Sequence, residues 1–107
     1  MKKCYQIHLA DNVAVLLEDA ASESIEVIGG TRSTITGRQS IGLGHKIAVA
    51  DVGEGAPIIK FGVPIGIAMV PINAGDWVHL HNCRSQLDER SAKLDVHSGA
   101  AGDTVYE

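Results

Sequence analysis

Apolar and polar positions alternate over short stretches of this chain, and turn-forming residues separate the stretches. The runs predict strands at Tyr5–Leu9, Val13–Leu17, Ser24–Ile28, His45–Asp51, Ile58–Phe61, Ile65–Val70 and Trp77–His81. Between them lie Gly29-Gly30, Gly42-Leu43-Gly44, Val52-Gly53-Glu54-Gly55 and Asn73-Ala74-Gly75-Asp76, which are typical of tight turns. Few segments are candidates for a long amphipathic helix. The pattern predicts a mainly β domain of short, mostly antiparallel strands.

The segment Val13–Leu17 fits two secondary structures. Its apolar run suits a buried strand, but Glu18 and the residues after it would also suit a first helical turn. Asp11 and Asn12 are good helix N-caps, so strand and helix both stay open here.

The composition changes after Cys83, and we expect the domain to span residues 1–83 and a C-terminal tail to span residues 84–107. Gln86–Lys93 is charged and suits a helical turn, whereas residues 98–102 resemble a linker. We expect residues after about 92 to be ordered only by a partner.

Composition and charge exclude several classes of function. The chain has 107 residues, a net charge of -4 and no cluster of Lys or Arg, which argues against binding to nucleic acid. It has no apolar run long enough to span a membrane, and polar residues follow Met1-Lys2-Lys3 where a signal peptide would be apolar, so we expect a cytoplasmic protein. Cys4 and Cys83 have no Cys-x-x-Cys partner and are expected to be reduced thiols.

Histidines near two of the predicted strands are the main candidates for chemistry. His79 and His81 are separated by one residue, so a strand would place both on one face, where they could bind a metal completed by other ligands. The alternative is that one caps a turn and the other is half exposed. His45 and Lys46 follow a Gly-Leu-Gly turn and could serve as a base or bind a carboxylate, or could be a turn histidine and a snorkelling lysine. On one strand, only one of the two could face a given site.

Polar residues in turns are weaker candidates for substrate contact. Asp11 and Asn12 precede an apolar run, where turn capping is the favoured role over substrate binding. Asn82, next to His81, is a further candidate for substrate binding. Trp77 is expected to anchor the core beside His79 rather than to stack on a sugar.

Several blocks together resemble the small domain of the altronate/galactarate dehydratase family. They are Asp11-Asn12-Val13-Ala14-Val15, Gly44-His45-Lys46-Ile47-Ala48, Ile59-Lys60-Phe61-Gly62, Ile65-Gly66 and Gly75-Asp76-Trp77-Val78-His79-Leu80-His81-Asn82. Their order and spacing over roughly residues 5 to 83 make the resemblance more specific than any single motif. The chain departs from the usual pattern at Leu9-Ala10, where many members have a proline after the histidine, and this weakens any role for His8.

The resemblance implies a β-clip (SAF-like) fold and a subunit of a hydro-lyase, a carbon–oxygen lyase. The implied partner is a large dehydratase subunit that carries most of the catalytic groups, with a divalent metal such as iron or manganese. The reaction would remove water from a sugar acid and leave a 2-keto-3-deoxy acid. Our hypothesis is that His45, Lys46, His79 and His81 form one wall of a shared site, so the chain alone would be inactive.

Two other functions stay open. The small subunit of sulfolactate sulfo-lyase has a similar layout and eliminates sulfite instead of water. A non-catalytic module that binds carbohydrate or assists assembly would bind its ligand without turnover. The isolated chain could also form a homo-oligomer.

Overall fold

Strands form in this chain wherever apolar side chains can be buried against a sheet. The computed structural model describes residues 1–30 and 32–85, which contain nine strands and no helix. The strands are β1 (Lys2–Gln6), β2 (Val13–Leu16), β3 (Ser24–Gly29), β4 (Ser33–Thr36), β5 (Lys46–Ala48), β6 (Pro57–Lys60), β7 (Val63–Ala68), β8 (Trp77–Val78) and β9 (Cys83–Ser85). The predicted mainly β class is confirmed.

The strands form two sheets. The larger has the order β4-β3-β1-β2-β5-β8, and the smaller has the order β6-β7-β9. The pair β1–β3 is parallel and the other ladders are antiparallel. The pairing of β5 with β8 aligns Ile47 with Trp77 and Lys46 with Val78, which decides which side chains share a face.

Two apolar cores lie on opposite faces of β2, β5 and β8. One core, which we call cluster 1, includes Ala14 and Ile47, with Trp77 packed against it. The other, cluster 2, includes Val13, Ala48 and Val78 together with residues of the smaller sheet. Because neighbours along these strands point into different cores, Val13–Leu16 is apolar without alternation. Residues 13–16 therefore form a strand, and the helical alternative for this segment is wrong.

Three differences from the predicted strands have simple physical causes. The strand β4 was not predicted, because Ile35 is the one buried side chain among its polar residues. The strand β1 ends at Gln6, since residues 8–11 form a turn closed by the Asp11 N–H donating to the His8 carbonyl at 3.0 Å. The strand β8 ends at Val78, so the predicted strand from Trp77 to His81 is wrong beyond that point.

Cys4 and Cys83 are buried, one in each core, and are not joined in a disulfide. Burial raises the pKa of Cys4 to about 11, so this thiol stays protonated at neutral pH.

The described chain contains no helix that could cross a membrane. Pairing in β9 continues to Ser85, inside the segment predicted as a tail. The predicted helical turn at Gln86–Lys93 and linker at 98–102 lie outside the described residues.

Candidate active site

Four aromatic rings meet at one end of the β5–β8 pair. The His79 imidazole stacks on the Trp77 indole, with a centroid distance of 5.2 Å and an angle of 9° between the planes. His81 approaches the same indole at 5.0 Å, and His45 lies 5.5 Å from Trp77 and 5.6 Å from His79. The structure therefore brings His45, His79 and His81, the three histidines predicted as site residues, against Trp77, and we call these four residues the imidazole cluster.

A turn, and not a strand, presents two of these histidines. Residues 79–82 form this turn, which is closed by the Asn82 N–H donating to the His79 carbonyl at 3.1 Å. The Asn82 side chain accepts from the His79 N–H at 3.0 Å and donates to the Trp77 carbonyl at 2.8 Å. Both imidazoles still contact the Trp77 ring from this turn. A shared face for His79 and His81 stays a prediction, since each is seen to contact Trp77 and the two come from a turn instead of a strand.

His45 reaches the cluster from a glycine turn. The His45 N–H donates to the Gly42 carbonyl at 3.1 Å, and Gly44 has a φ of 85°, which favours glycine. The Leu43 N–H donates to Asp19 Oδ1 at 2.8 Å, so Asp19 holds the turn in place. Asp19 was not predicted as a site residue, because it lies 24 residues before Leu43 and nothing in the local sequence signals the contact.

The Trp77 indole nitrogen is a buried donor that lacks an acceptor. Trp77 packs against cluster 1, as expected for a core anchor, yet its Nε1 finds no hydrogen-bond partner within the described part of the chain. Buried N–H groups are usually paired, since an unpaired one costs about 1–3 kcal/mol. This unpaired donor lies beside three imidazoles and could bind an acceptor from outside the described residues.

Lys46 is placed away from the imidazole cluster. It pairs with Val78 while Ile47 pairs with Trp77, so Lys46 and Trp77 lie on opposite faces of the sheet. Its side chain is buried on the side of cluster 2. The structure thus separates His45 from Lys46, as expected for neighbours on one strand, and a catalytic role for Lys46 stays a prediction.

Asp11 and Asn12 lie at the opposite end of β2 from His45. The Asp11 carboxylate is buried and accepts three backbone N–H groups: from His8 at 3.0 Å, Phe61 at 3.1 Å and Gly62 at 2.8 Å. The Asn12 side chain accepts from the Ile59 N–H at 2.7 Å and donates to the Pro57 carbonyl at 3.0 Å. Both residues join the β1–β2 loop to the β6–β7 hairpin.

These contacts give the three polar candidates structural roles. The side chains of Asp11, Asn12 and Asn82 all bind backbone groups, as the capping interpretation expects. Substrate binding by any of them stays a prediction.

The donor set for a divalent metal is incomplete here. Over residues 1–30 and 32–85, no group of three or more His, Cys, Asp or Glu side chains is arranged to hold a metal ion. Two imidazoles in one turn do not complete a site by themselves, because even an open catalytic zinc site has three protein ligands. The described residues therefore do not fit a metal site without ligands from elsewhere.

Comparison with known proteins supports the resemblance seen in the sequence. Residues 2–86 match the family described as altronate/galactarate dehydratase SAF domain. The altronate dehydratase of Escherichia coli K12 is 48% identical over 84 residues, which cover 78% of this chain and 17% of that protein. The altronate dehydratase of Bacillus subtilis 168 is 36% identical over 90 residues, covering 83% of this chain and 18% of that protein. The chain therefore spans less than a fifth of the length of these two relatives.

A shorter relative is matched over most of its own length. The (2R)-sulfolactate sulfo-lyase subunit alpha of Paracoccus pantotrophus is 33% identical over 52 residues, which cover 49% of this chain and 78% of that subunit. Together with the match over residues 2–86, these similarities place the chain in a lyase family. The chain belongs to the altronate/galactarate dehydratase SAF-domain family.

Proposed function

We propose that this chain is the small-domain part of a sugar-acid dehydratase and supplies one wall of an active site shared with a larger dehydratase body. The observation that carries the proposal is the imidazole cluster, in which three histidines and an unpaired indole N–H meet at one end of the β5–β8 pair. The 48% identity to the altronate dehydratase of Escherichia coli K12 supports the substrate class. The sulfo-lyase relatives, whose name includes a subunit alpha, support a division between two chains.

Dehydration of a polyhydroxy acid consists of two proton transfers and one bond cleavage. A base removes the proton on the carbon next to the carboxylate, and the C–O bond to the hydroxyl on the following carbon breaks. That hydroxyl takes a proton and leaves as water, and the enol that remains tautomerises to a 2-keto-3-deoxy acid. Imidazoles suit these transfers because the ordinary pKa of histidine lies near neutrality.

We assign the three imidazoles to the reacting end of the substrate. His45 is fixed by the Gly42–Gly44 turn and by the contact between Asp19 and Leu43, so it can hold or take a proton at a defined position. His79 and His81 sit on a turn ordered by Asn82 and are suited to bind the carboxylate or the departing hydroxyl. Lys46 faces the other side of the sheet, so its predicted catalytic role is not part of this assignment.

The metal predicted at His79 and His81 stays a prediction. If iron or manganese is part of the complete enzyme, its role would be to stabilise the charge that develops on the carboxylate, and most of its ligands would come from the larger body. The described residues of this chain would add at most the two imidazoles of the turn.

The test is reconstitution of the complex and assay on sugar acids. The chain is purified from its native cell with the polypeptide that accompanies it, and turnover is measured on altronate, galactarate and sulfolactate. Replacing His79→Ala together with His81→Ala should lower turnover about 100-fold or more, because proton transfer and carboxylate binding are both affected. His8→Ala is the matched control, since His8 lies with Asp11 at the other end of β2.

Two results would contradict the proposal. Full activity of the double variant, with unchanged bound metal, would remove both histidines from the mechanism. Absence of a dehydratase partner together with sugar-acid binding and no turnover would favour the carbohydrate-binding or assembly module.

A second candidate is the small subunit of a sulfolactate sulfo-lyase. It is favoured by the match to 78% of the Paracoccus pantotrophus subunit alpha. Release of sulfite from sulfolactate, with no turnover of altronate, would establish it in the same assay.

A further inference from the structure

An open cavity lies next to the imidazole cluster. It has a volume of about 520 Å³, and its lining includes Lys2, Asp19, Glu23, Ser40 and Gly42. This volume lies within the range of small-molecule sites, roughly 300–1,000 Å³. We call it the Ser40 groove.

The groove is separated from His45 by a residue without a side chain. A Cβ at Gly42 would lie 3.4 Å from His45 Cδ2 and 3.8 Å from Asp19 Oδ1. Gly42 is therefore within contact distance of both the histidine ring and the Asp19 carboxylate, so the groove borders the imidazole cluster. A ligand whose reacting end lies at His45 could extend past Gly42 into the groove.

The groove wall offers both donors and acceptors. Lys2 Nζ donates to the Asp19 carbonyl at 2.7 Å and lies 3.6 Å from Glu23 Oε2, which also accepts from the Ala21 N–H at 2.9 Å. The Asp19 and Glu23 carboxylates and the Ser40 hydroxyl line this wall together with the Lys2 ammonium. Such a wall is suited to the hydroxyl groups of a polyol, each of which both donates and accepts.

The charge of the groove favours one orientation of a bound sugar acid. Two carboxylates and one ammonium leave it with a net negative charge, and the hydrogen bond from Ala21 lowers the pKa of Glu23, so this carboxyl is ionised at neutral pH. A carboxylate is repelled there and is favoured at the imidazoles instead.

We infer that the Ser40 groove binds the uncharged hydroxylated end of an aldonic acid and disfavours aldaric acids, which carry a carboxylate at both ends. This inference rests on the proposed function, because it assumes that the reacting end of a sugar acid lies at the imidazole cluster. The chain is 48% identical to the altronate dehydratase and 32% identical to the galactarate dehydratase of Escherichia coli K12, which agrees with a preference for an aldonic acid.

The experiment removes the negative charge and keeps the structural hydrogen bonds. In the native complex, Asp19→Asn and Glu23→Gln are combined, since each amide oxygen can still accept from Leu43 or Ala21. Altronate is the aldonate probe and galactarate the aldarate probe. We expect the ratio of kcat/KM for galactarate to that for altronate to rise about tenfold, because a repulsion between like charges at close range is relieved.

Glu26→Gln is the matched control. Glu26 is an acidic residue on β3 that pairs with Lys3 at 3.7 Å and does not line the groove. Its variant should leave the ratio within twofold of wild type. A double variant with an unchanged ratio in an active complex would overturn the inference while leaving the proposed function intact.

A second measurement separates failure of the inference from failure of the proposed function. Equilibrium dialysis of the complex with radiolabelled altronate and galactarate measures binding without turnover. Preference for altronate that is lost in the double variant would support the groove even if the complex dehydrates neither acid, a result that would count against the proposed function alone. Equal binding of both acids by wild type and variant would overturn the groove assignment.

Discussion

The two ends of β2 carry polar clusters that differ in how their hydrogen-bonding groups are satisfied. At one end, the Asp11 carboxylate accepts three backbone N–H groups and Asn12 binds the β6 backbone through both ends of its amide. At the other end, three imidazoles and an indole meet through ring contacts, and the Trp77 N–H has no acceptor within the described residues. At the first end, which we call the saturated end, the polar side chains are paired with backbone groups. The second end, which we call the unsaturated end, contains a hydrogen-bond donor without an acceptor among the described residues.

This difference separates a structural cluster from a candidate site. A buried polar group whose bonds all go to the backbone has little capacity left for a ligand, and its loss costs stability. A cluster with an unpaired donor keeps binding capacity at some cost in stability, as functional sites often do. The saturated end is therefore expected to affect folding, and the unsaturated end catalysis.

The largest effect on stability is expected for Asp11→Ala. Removing the carboxylate leaves three backbone N–H groups without their acceptor, which should lower the free energy of unfolding by about 3–5 kcal/mol. Urea unfolding of the isolated chain measures this change. Turnover of the reconstituted complex, at a temperature where the variant stays folded, should be within twofold of wild type. A large loss of turnover in a folded variant would instead support the predicted substrate contact by Asp11.

Asn82→Ala should lower both stability and activity. Its side chain holds the His79 turn through two hydrogen bonds, and losing them should cost about 2 kcal/mol of stability. Displacing the imidazoles should also lower turnover by about tenfold or more. Asn12→Ala provides the comparison, because it removes an equivalent pair of backbone contacts at the saturated end. We expect Asn82→Ala and Asn12→Ala to lose similar amounts of stability, and Asn82→Ala to have the lower turnover. Equal turnover of the two variants would contradict the distinction between the two ends.

Much of the fold was predictable from sequence because burial leaves a clear signal. The class, the mostly antiparallel pairing and the grouping of His45 with His79 and His81 follow from apolar runs, glycine turns and the blocks shared with a family. The strand β4 has no such burial signal, since Ser33, Thr34 and Thr36 are all exposed. The strand β8 was predicted too long, because residue spacing does not reveal that Asn82 turns the chain after Val78.

The site was harder to predict where it depends on distant contacts. The role of Asp19 at the Gly42–Gly44 turn and the separation of Lys46 from Trp77 both follow from strand order, which is not visible in local sequence. The groove between Lys2 and Ser40 has the same origin, since segments far apart in the chain form its wall.

Phe61→Asn should stabilise the saturated end. Among the described non-glycine residues, Phe61 has a positive φ, 62°, and with Gly62 at 75° it forms the two-residue turn of the β6–β7 hairpin. Asparagine tolerates this conformation better than phenylalanine, whose ring is largely exposed here. We expect the free energy of unfolding to rise by about 0.5–1 kcal/mol, with unchanged turnover. A loss of turnover would show that this end also contacts the larger body.

The smallest change in stability, and the sharpest test of the unsaturated end, is expected for Trp77→Phe. Phenylalanine keeps an aromatic ring against His79 and His81 but has no N–H, so the cost of the smaller ring is offset by relief of an unpaired donor. The free energy of unfolding should therefore change by less than about 1 kcal/mol. If the indole N–H meets an acceptor on the substrate, KM of the complex for altronate should rise about tenfold, the value of one hydrogen bond. A variant that is strongly destabilised but has an unchanged KM would show that Trp77 is a core anchor, and the two ends of β2 would then differ in packing alone.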